Sequence, residues 1–196
     1  MERARLYVSI SPDLAAEREA IGRAVANLPV DVGWEVSYTP GATDPNAADP
    51  RTAARAHVYI LALGEDIRAP MGVEWDSARR VGLKPLALLH DGPRTPAAQA
   101  FLKGVDVEWT SYKSARELTH RVQAALAQAL LDRAPLFGLS TPEWESLSGL
   151  LKTLQEQSAA EGEDERSGAG QSGVIFAPSR EAGKGGIVVG ESRKPR

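Results

Sequence analysis

Glu74 is the residue best placed to do chemistry. It lies beside Trp75, just after Met71-Gly72, early in a stretch with helical apolar spacing that follows the most strand-like run of the chain. Helices that follow parallel strands begin at the carboxyl edge of the sheet, where open α/β sheets bind ligands. A carboxylate there can accept a ribose hydroxyl, serve as a base, or attack a glycosidic carbon. Its alternative role is local, since an acid in the first turn of a helix is favoured by the helix dipole. Ser9, Ser11 and Asp13 form a second polar group, at a tight strand-to-helix joint. They can exchange hydrogen bonds with a ligand, and the helix that Ser11 opens can hold an anion at its N-terminus. Ser11 followed by Pro12 also reads as an N-cap with proline at the first helical position. Ser9 has no comparable local role.

Several other chemistries are excluded. The chain has no cysteine, which removes disulfides, thiolate zinc sites and cysteine nucleophiles together and agrees with a reducing compartment. His57, His90 and His120 share no ligand-like spacing, so no metal site is expected; His90 alone ends a strand, at the functional edge. Gly183-Lys184-Gly185-Gly186 lacks the leading glycine, the following Ser or Thr, and the helix of a phosphate loop. A net charge of −3 supplies no basic field, and nucleic acid is not an expected partner. No apolar run approaches the roughly 18 residues that span a bilayer, and the first residues enter a strand without a signal-peptide core. The expected location is the cytoplasm.

The elements that must position these residues can be read from pattern. The chain has 196 residues, 42% hydrophobic and 25% charged, enough for one ordinary α/β domain and an appendage. Leu6-Tyr7-Val8 predicts a short central strand. Leu14, Ile21, Val25 and Leu28 predict the buried side of the helix that follows. A second strand falls within Val30–Tyr38, and the Gly-, Asp-, Asn- and Pro-rich stretch from Gly41 to Pro50 reads as a long exposed loop. Asp49-Pro50 then predicts a capped short helix through Arg55. Val58–Leu63, apolar on both faces, reads as an interior parallel strand. Met71–Val81 reads as a helix with Val73, Ala78 and Val81 inward, and Leu86–Leu89 as the fourth strand. Thr95-Pro96 starts a short helix, Val105–Trp109 a peripheral fifth strand, and Tyr112 or Ser114 a helix with Leu118, Val122, Leu126 and Leu130 in one stripe. The expected fold is a five-stranded, mostly parallel, doubly wound sheet of order 2-1-3-4-5, ending near residue 138.

The remaining third divides into three segments. Residues 139–158 predict an amphipathic helix opened by Thr141-Pro142, with Trp144, Leu147, Leu150, Leu151 and Leu154 on one side. Residues 159–173 have no large apolar side chain and read as a flexible acidic linker. Residues 174–196 carry two short apolar runs, 174–176 and 187–189, read as a hairpin-like or partner-docking pair before a basic end.

The order of motifs resembles that of a known family. Tyr7-Val8-Ser9-Ile10-Ser11-Pro12-Asp13-Leu14 with Glu17-Arg18, then Ala56–Gly64, then Val73-Glu74-Trp75-Asp76-Ser77-Ala78 with Gly82-Leu83-Lys84-Pro85-Leu86, is similar to the three blocks of a TIR-like group. That group heads signalling ATPases of the NACHT and related classes, and its fold is similar to TIR domains and nucleoside deoxyribosyltransferases. The resemblance covers roughly residues 5 to 130. It departs at Ile10, where the family has a hydroxyl, and at Glu65-Asp66-Ile67-Arg68, where a Tyr-Gly is usual.

The resemblance implies a flavodoxin-like sheet. It also makes Glu74 equivalent to the carboxylate with which catalytic TIR domains cleave the nicotinamide–ribose bond of NAD. On that reading Glu74 is catalytic, Ser9, Ser11, Asp13, Arg68 and Trp75 contribute to the ligand pocket, and NAD is a substrate rather than a cofactor. The alternative is a non-catalytic signalling or defence module that self-associates or holds an effector partner through residues 141–196.

Overall fold

Every strand-like run in the first two thirds of the sequence joins a single sheet. The computed structural model describes residues 2–41 and 49–168, with the backbone alone for 159–168. Strands β1 (Ala4–Ile10), β2 (Trp34–Tyr38), β3 (Val58–Leu63), β4 (Leu86–His90) and β5 (Trp109–Tyr112) are all parallel, in the expected order β2-β1-β3-β4-β5. The helices are α1 (Ala15–Ala26), α2 (Pro50–Ala54), α3 (Ala69–Arg80), α4 (Pro96–Gly104), α5 (Ala115–Asp132), α6 (Ala134–Phe137) and α7 (Thr141–Gly168). Residues Met1–Ala160 make one compact unit; of the second, Glu161–Arg196, only the backbone of α7 is described.

Helices cover both faces, because side chains alternate along each strand. On one face Leu6, Val8, Ile10, Ile60, Ala62 and Leu88 pack with Ile21 and Val25 of α1 and with Leu118, Val122, Leu126 and Leu130 of α5. On the other, Tyr7, Tyr59 and Leu61 pack with Ala53 of α2 and with Met71, Trp75 and Ala78 of α3. Two expected caps are made: Asp49 Oδ1 accepts from Arg51 N at 3.0 Å and Thr95 Oγ1 from Ala98 N at 3.2 Å. Of Tyr112 and Ser114, Ser114 opens α5, its Oγ accepting from Glu117 N at 3.2 Å.

Four expectations are corrected. Ser11 does not cap α1: Pro12 and Asp13 form a turn closed by Leu14 N donating to Ser11 O at 3.2 Å, and the helix starts at Ala15. Its hydroxyl is taken instead by partners more than fifty residues away, which no local pattern reveals. The fifth strand is Trp109–Tyr112, not Val105–Trp109; Val105 caps the end of α4 and is buried against the α3 side of the sheet. Helix α3 starts at Ala69 rather than Met71, so Glu74 lies beyond its first turn and the dipole explanation loses its basis. Val73 and Val81 face solvent, while Met71, Glu74, Trp75 and Ala78, at spacings of three and four, turn inward.

Helix α7 belongs to the same packing. Leu147 is fully buried in the α1/α5 core, with Leu150 and Leu151 against it, so most of the apolar stripe is used inside the domain. Glu143 anchors its start, accepting from Asp31 N at 2.8 Å and from Ser140 N and Oγ at 2.8 and 2.6 Å. The Ser140 hydroxyl and these two N–H groups hold the Glu143 carboxyl down at about 2, well below the usual carboxylate range. The helical backbone continues to Gly168, past residue 158 and into the stretch expected as a linker. The rest of that stretch and the runs 174–176 and 187–189 lie outside the described residues, as do 42–48 of the loop after β2.

Candidate functional site

The sheet reverses its winding between β1 and β3, and polar side chains converge where those strands end. Ser9 leaves the carboxyl end of β1 on the α3 side, and Thr39 follows β2, held by its N–H donating to Val8 O at 3.0 Å. Glu74 reaches them from the second turn of α3 and is 0% exposed. Ser9 Oγ donates a short hydrogen bond to Glu74 Oε2, and Thr39 Oγ1 donates to the same oxygen at 2.7 Å. Each hydroxyl is itself engaged from behind: Tyr59 OH donates to Ser9 Oγ at 2.7 Å, and Ile10 N donates to Thr39 Oγ1 at 3.2 Å. Glu74 Oε1 accepts no hydrogen bond among the described residues.

Two tyrosines close the network. Tyr7 and Tyr59 stack at 6.1 Å between centroids, and Tyr59 meets Trp75 at 6.3 Å. Burial, then the Glu74 charge and contact, push the Tyr7 phenol far above its ordinary value. Tyr7 thus faces the carboxylate from the same strand as Ser9. Tyr59 is also raised, mainly by burial, with its bond to Ser9 opposing. Both phenols remain protonated donors at neutral pH.

The remaining predicted residues have separate roles. Ser11 Oγ accepts from Gly64 N at 2.9 Å and donates to Asp66 O at 2.6 Å, tying the end of β1 to the loop after β3. Asp13 accepts from Glu65 N at 2.9 Å and Asp66 N at 3.4 Å, and its carboxylate fills the space a Cβ at Gly64 would need. Thr95 completes this clamp through Asp66 Oδ1 at 2.6 Å. The loop that launches α3 is therefore fixed from two sides. Arg68 is the N-cap position of α3, and its guanidinium has no hydrogen-bond or ion-pair partner among the described residues. Trp75 is buried beside the network and lines an open groove of about 370 Å³ with Asp76, Arg79, Phe101 and Val105. A second cavity, about 210 Å³, lies against Arg5, Tyr7, Glu35, Ser37, Thr52 and Arg55.

Of the predicted site, the structure joins Ser9 to Glu74 directly, sets Trp75 beside them, and makes Ser11 and Asp13 supports of the loop. Sequence reasoning missed Thr39, Tyr59 and Tyr7. The available signal was alternation: Tyr7 and Ser9 interrupt the apolar pattern on one face of a strand covered on both sides. No cluster of three His, Asp or Glu suited to a metal occurs among the described residues, and no described helix is long and apolar enough to cross a membrane.

Fold and site together define a flavodoxin-like α/β protein with a buried, hydroxyl-bound carboxylate at the switch point of its sheet. No protein-family model and no curated protein matches the chain.

Proposed function

We propose that this chain is a TIR-like signalling or defence module of the cytoplasm that binds NAD or a related nucleotide at the carboxyl edge of its sheet and cleaves the N-glycosidic bond. The observation that carries this reading is the state of Glu74 at the switch point: one oxygen held by two hydroxyls, the other without a hydrogen-bond partner among the described residues. In the reaction, the bond between ribose C1′ and the pyridinium nitrogen breaks and its electron pair leaves with neutral nicotinamide. Glu74 stabilises or attacks the positive carbon that remains, and water completes hydrolysis with release of a proton. Arg68, whose guanidinium has no partner among the described residues and which lies two residues before Pro70, is suited to a phosphate of the same ligand.

The test is nicotinamide release from NAD by concentrated or crowded protein, wild type against Glu74→Gln. Release by the wild type and its loss in the variant support the reading; no release by the wild type under any assembly condition sinks it.

A second reading, a non-catalytic assembly module, is favoured by the complete shielding of Glu74 and by Trp144, which is 49% exposed on α7. Because Leu147 is part of the core, removing residues 141–196 is an unsuitable test. Trp144→Lys is the better one: on this reading it lowers the molar mass in light scattering, and an unchanged mass argues against self-association through this helix.

A further inference from the structure

We propose that Thr39 and Tyr59 are positioning residues that fix Glu74 Oε2 as a permanent acceptor and so reserve Oε1 as the oxygen that meets the ligand. The inference rests on reading Glu74 as the working carboxylate, and it assigns roles to two residues outside the chemistry described above.

Each hydroxyl has one proton to give and two lone pairs to receive with. Ile10 N–H is a fixed donor, so Thr39 Oγ1 accepts from it and must direct its own proton elsewhere; the acceptor within reach is Glu74 Oε2, at 2.7 Å. Tyr59 OH has Ser9 Oγ as its partner at 2.7 Å, which leaves the Ser9 proton for Glu74. If either chain ran the other way, the buried Thr39 or Tyr59 proton would face nothing among the described residues, which burial penalises. With two protons aimed at it, Oε2 is fully engaged as an acceptor, and Oε1 is the oxygen with no hydrogen-bond partner among the described residues.

The arrangement separates two tasks within one carboxylate. Oε2 is held by groups from β1 and from the residue after β2, with β3 behind Ser9, so three neighbouring strands set its position. Oε1 is left for the reacting carbon. The groups facing the carboxylate are Tyr7 and Ser9 from β1, Thr39 after β2 and Tyr59 from β3; Asp49, at the start of α2, acts on Tyr7. No cation is among these groups, so the hydroxyls are what hold the carboxyl group in place.

The experiment follows the carboxyl carbon resonance of Glu74 in the full chain at neutral pH, assigned by its disappearance in Glu74→Gln. Thr39→Val removes a donor and shifts the resonance; Thr39→Ser keeps the donor and leaves the resonance in place. Tyr59→Phe keeps the ring packing but frees the Ser9 proton to turn away, and produces a smaller shift. A resonance indifferent to both Thr39→Val and Tyr59→Phe overturns the proposal.

With NAD as the probe, Thr39→Val lowers kcat for nicotinamide release about tenfold or more at nearly constant KM, the loss expected for one hydrogen bond to a charged group, and Thr39→Ser restores it. Unequal loss in KM, or equal loss in Thr39→Ser, also overturns the positioning role. If wild-type protein releases no nicotinamide, the proposed reaction fails while the resonance measurements still decide the geometry.

Discussion

The two faces of β1 are both covered by helices and are chemically opposite. Leu6, Val8 and Ile10 enter an apolar layer shared with α1 and α5, whereas Arg5, Tyr7 and Ser9 face α2 and α3 and end in a hydrogen-bonded network. On a half-exposed strand such alternation would mean only that one face is wet. Here both faces are covered by helices, so polar groups on the second face cannot be excused by solvent and must satisfy one another. Ser9, Thr39 and Tyr59 do so by converging on Glu74. The apolar face makes the fold, and the polar face spends part of that stability on holding a carboxylate.

The largest effect should come from the apolar face. Ile60 of β3 is fully buried in the apolar layer shared with α1 and α5, and Ile60→Ala should cost about 2–5 kcal/mol of unfolding free energy in a denaturant titration. The Glu74 carboxyl resonance of the folded protein should not move. A shift there would show that the two faces are not independent, and the comparison would break.

A smaller effect tests the seam between the faces. Ser11→Ala strips the acceptor from the buried N–H of Gly64 and the donor from Asp66 O, and should cost about 1–3 kcal/mol. The same variant would remove only a replaceable cap if Ser11 opened α1, and then the loss would sit near the low end and leave the loop before α3 undisturbed. Faster amide exchange at Gly64 to Asp66 in Ser11→Ala distinguishes the two. Unchanged exchange there counts against the clamp.

Which parts were legible follows from the range of the forces involved. The inward residues of α1 and α5 and the caps at Asp49 and Thr95 depend on patterns a few residues long, and the sheet order follows from the alternation of strands and helices; all are found as expected. Glu74 and Ser9 were found because each departs from its local surroundings. Thr39 was not, because a threonine after a strand is unremarkable until a carboxylate 35 residues away reaches it. Ser11 shows the opposite failure: a strong local cap signal overridden by Gly64 and Asp66. Val73 turned outward because the inward face of α3 is set by Met71, Glu74, Trp75 and Ala78 at spacings of three and four, and Val73 lies off that face.

The smallest expected effect lies at the foot of the polar stripe, where β1 begins. Arg5 N donates to His57 Nδ1 at 3.0 Å and Arg5 Nη2 lies 3.0 Å from His57 Nε2, so both ring nitrogens face donors. A neutral imidazole can accept at one of them, and a protonated ring at neither. Burial first, then the charges of Arg5 and Arg133, lower the His57 pKa, with Glu2, 3.6 Å from the ring, opposing them. The unfolded chain thus takes up the proton before the folded one does. The contribution to stability is complete above the ordinary histidine value of about 6.5 and is lost as pH falls from there through the lower folded value. Unfolding free energy should therefore rise with pH across this window, and His57→Gln, whose amide oxygen can still accept from Arg5 N–H, should flatten the rise. An identical slope in wild type and variant would mean that the foot of the stripe tolerates charge. In that case the polar face would be selective only at its upper end, where Ser9 and Thr39 meet Glu74.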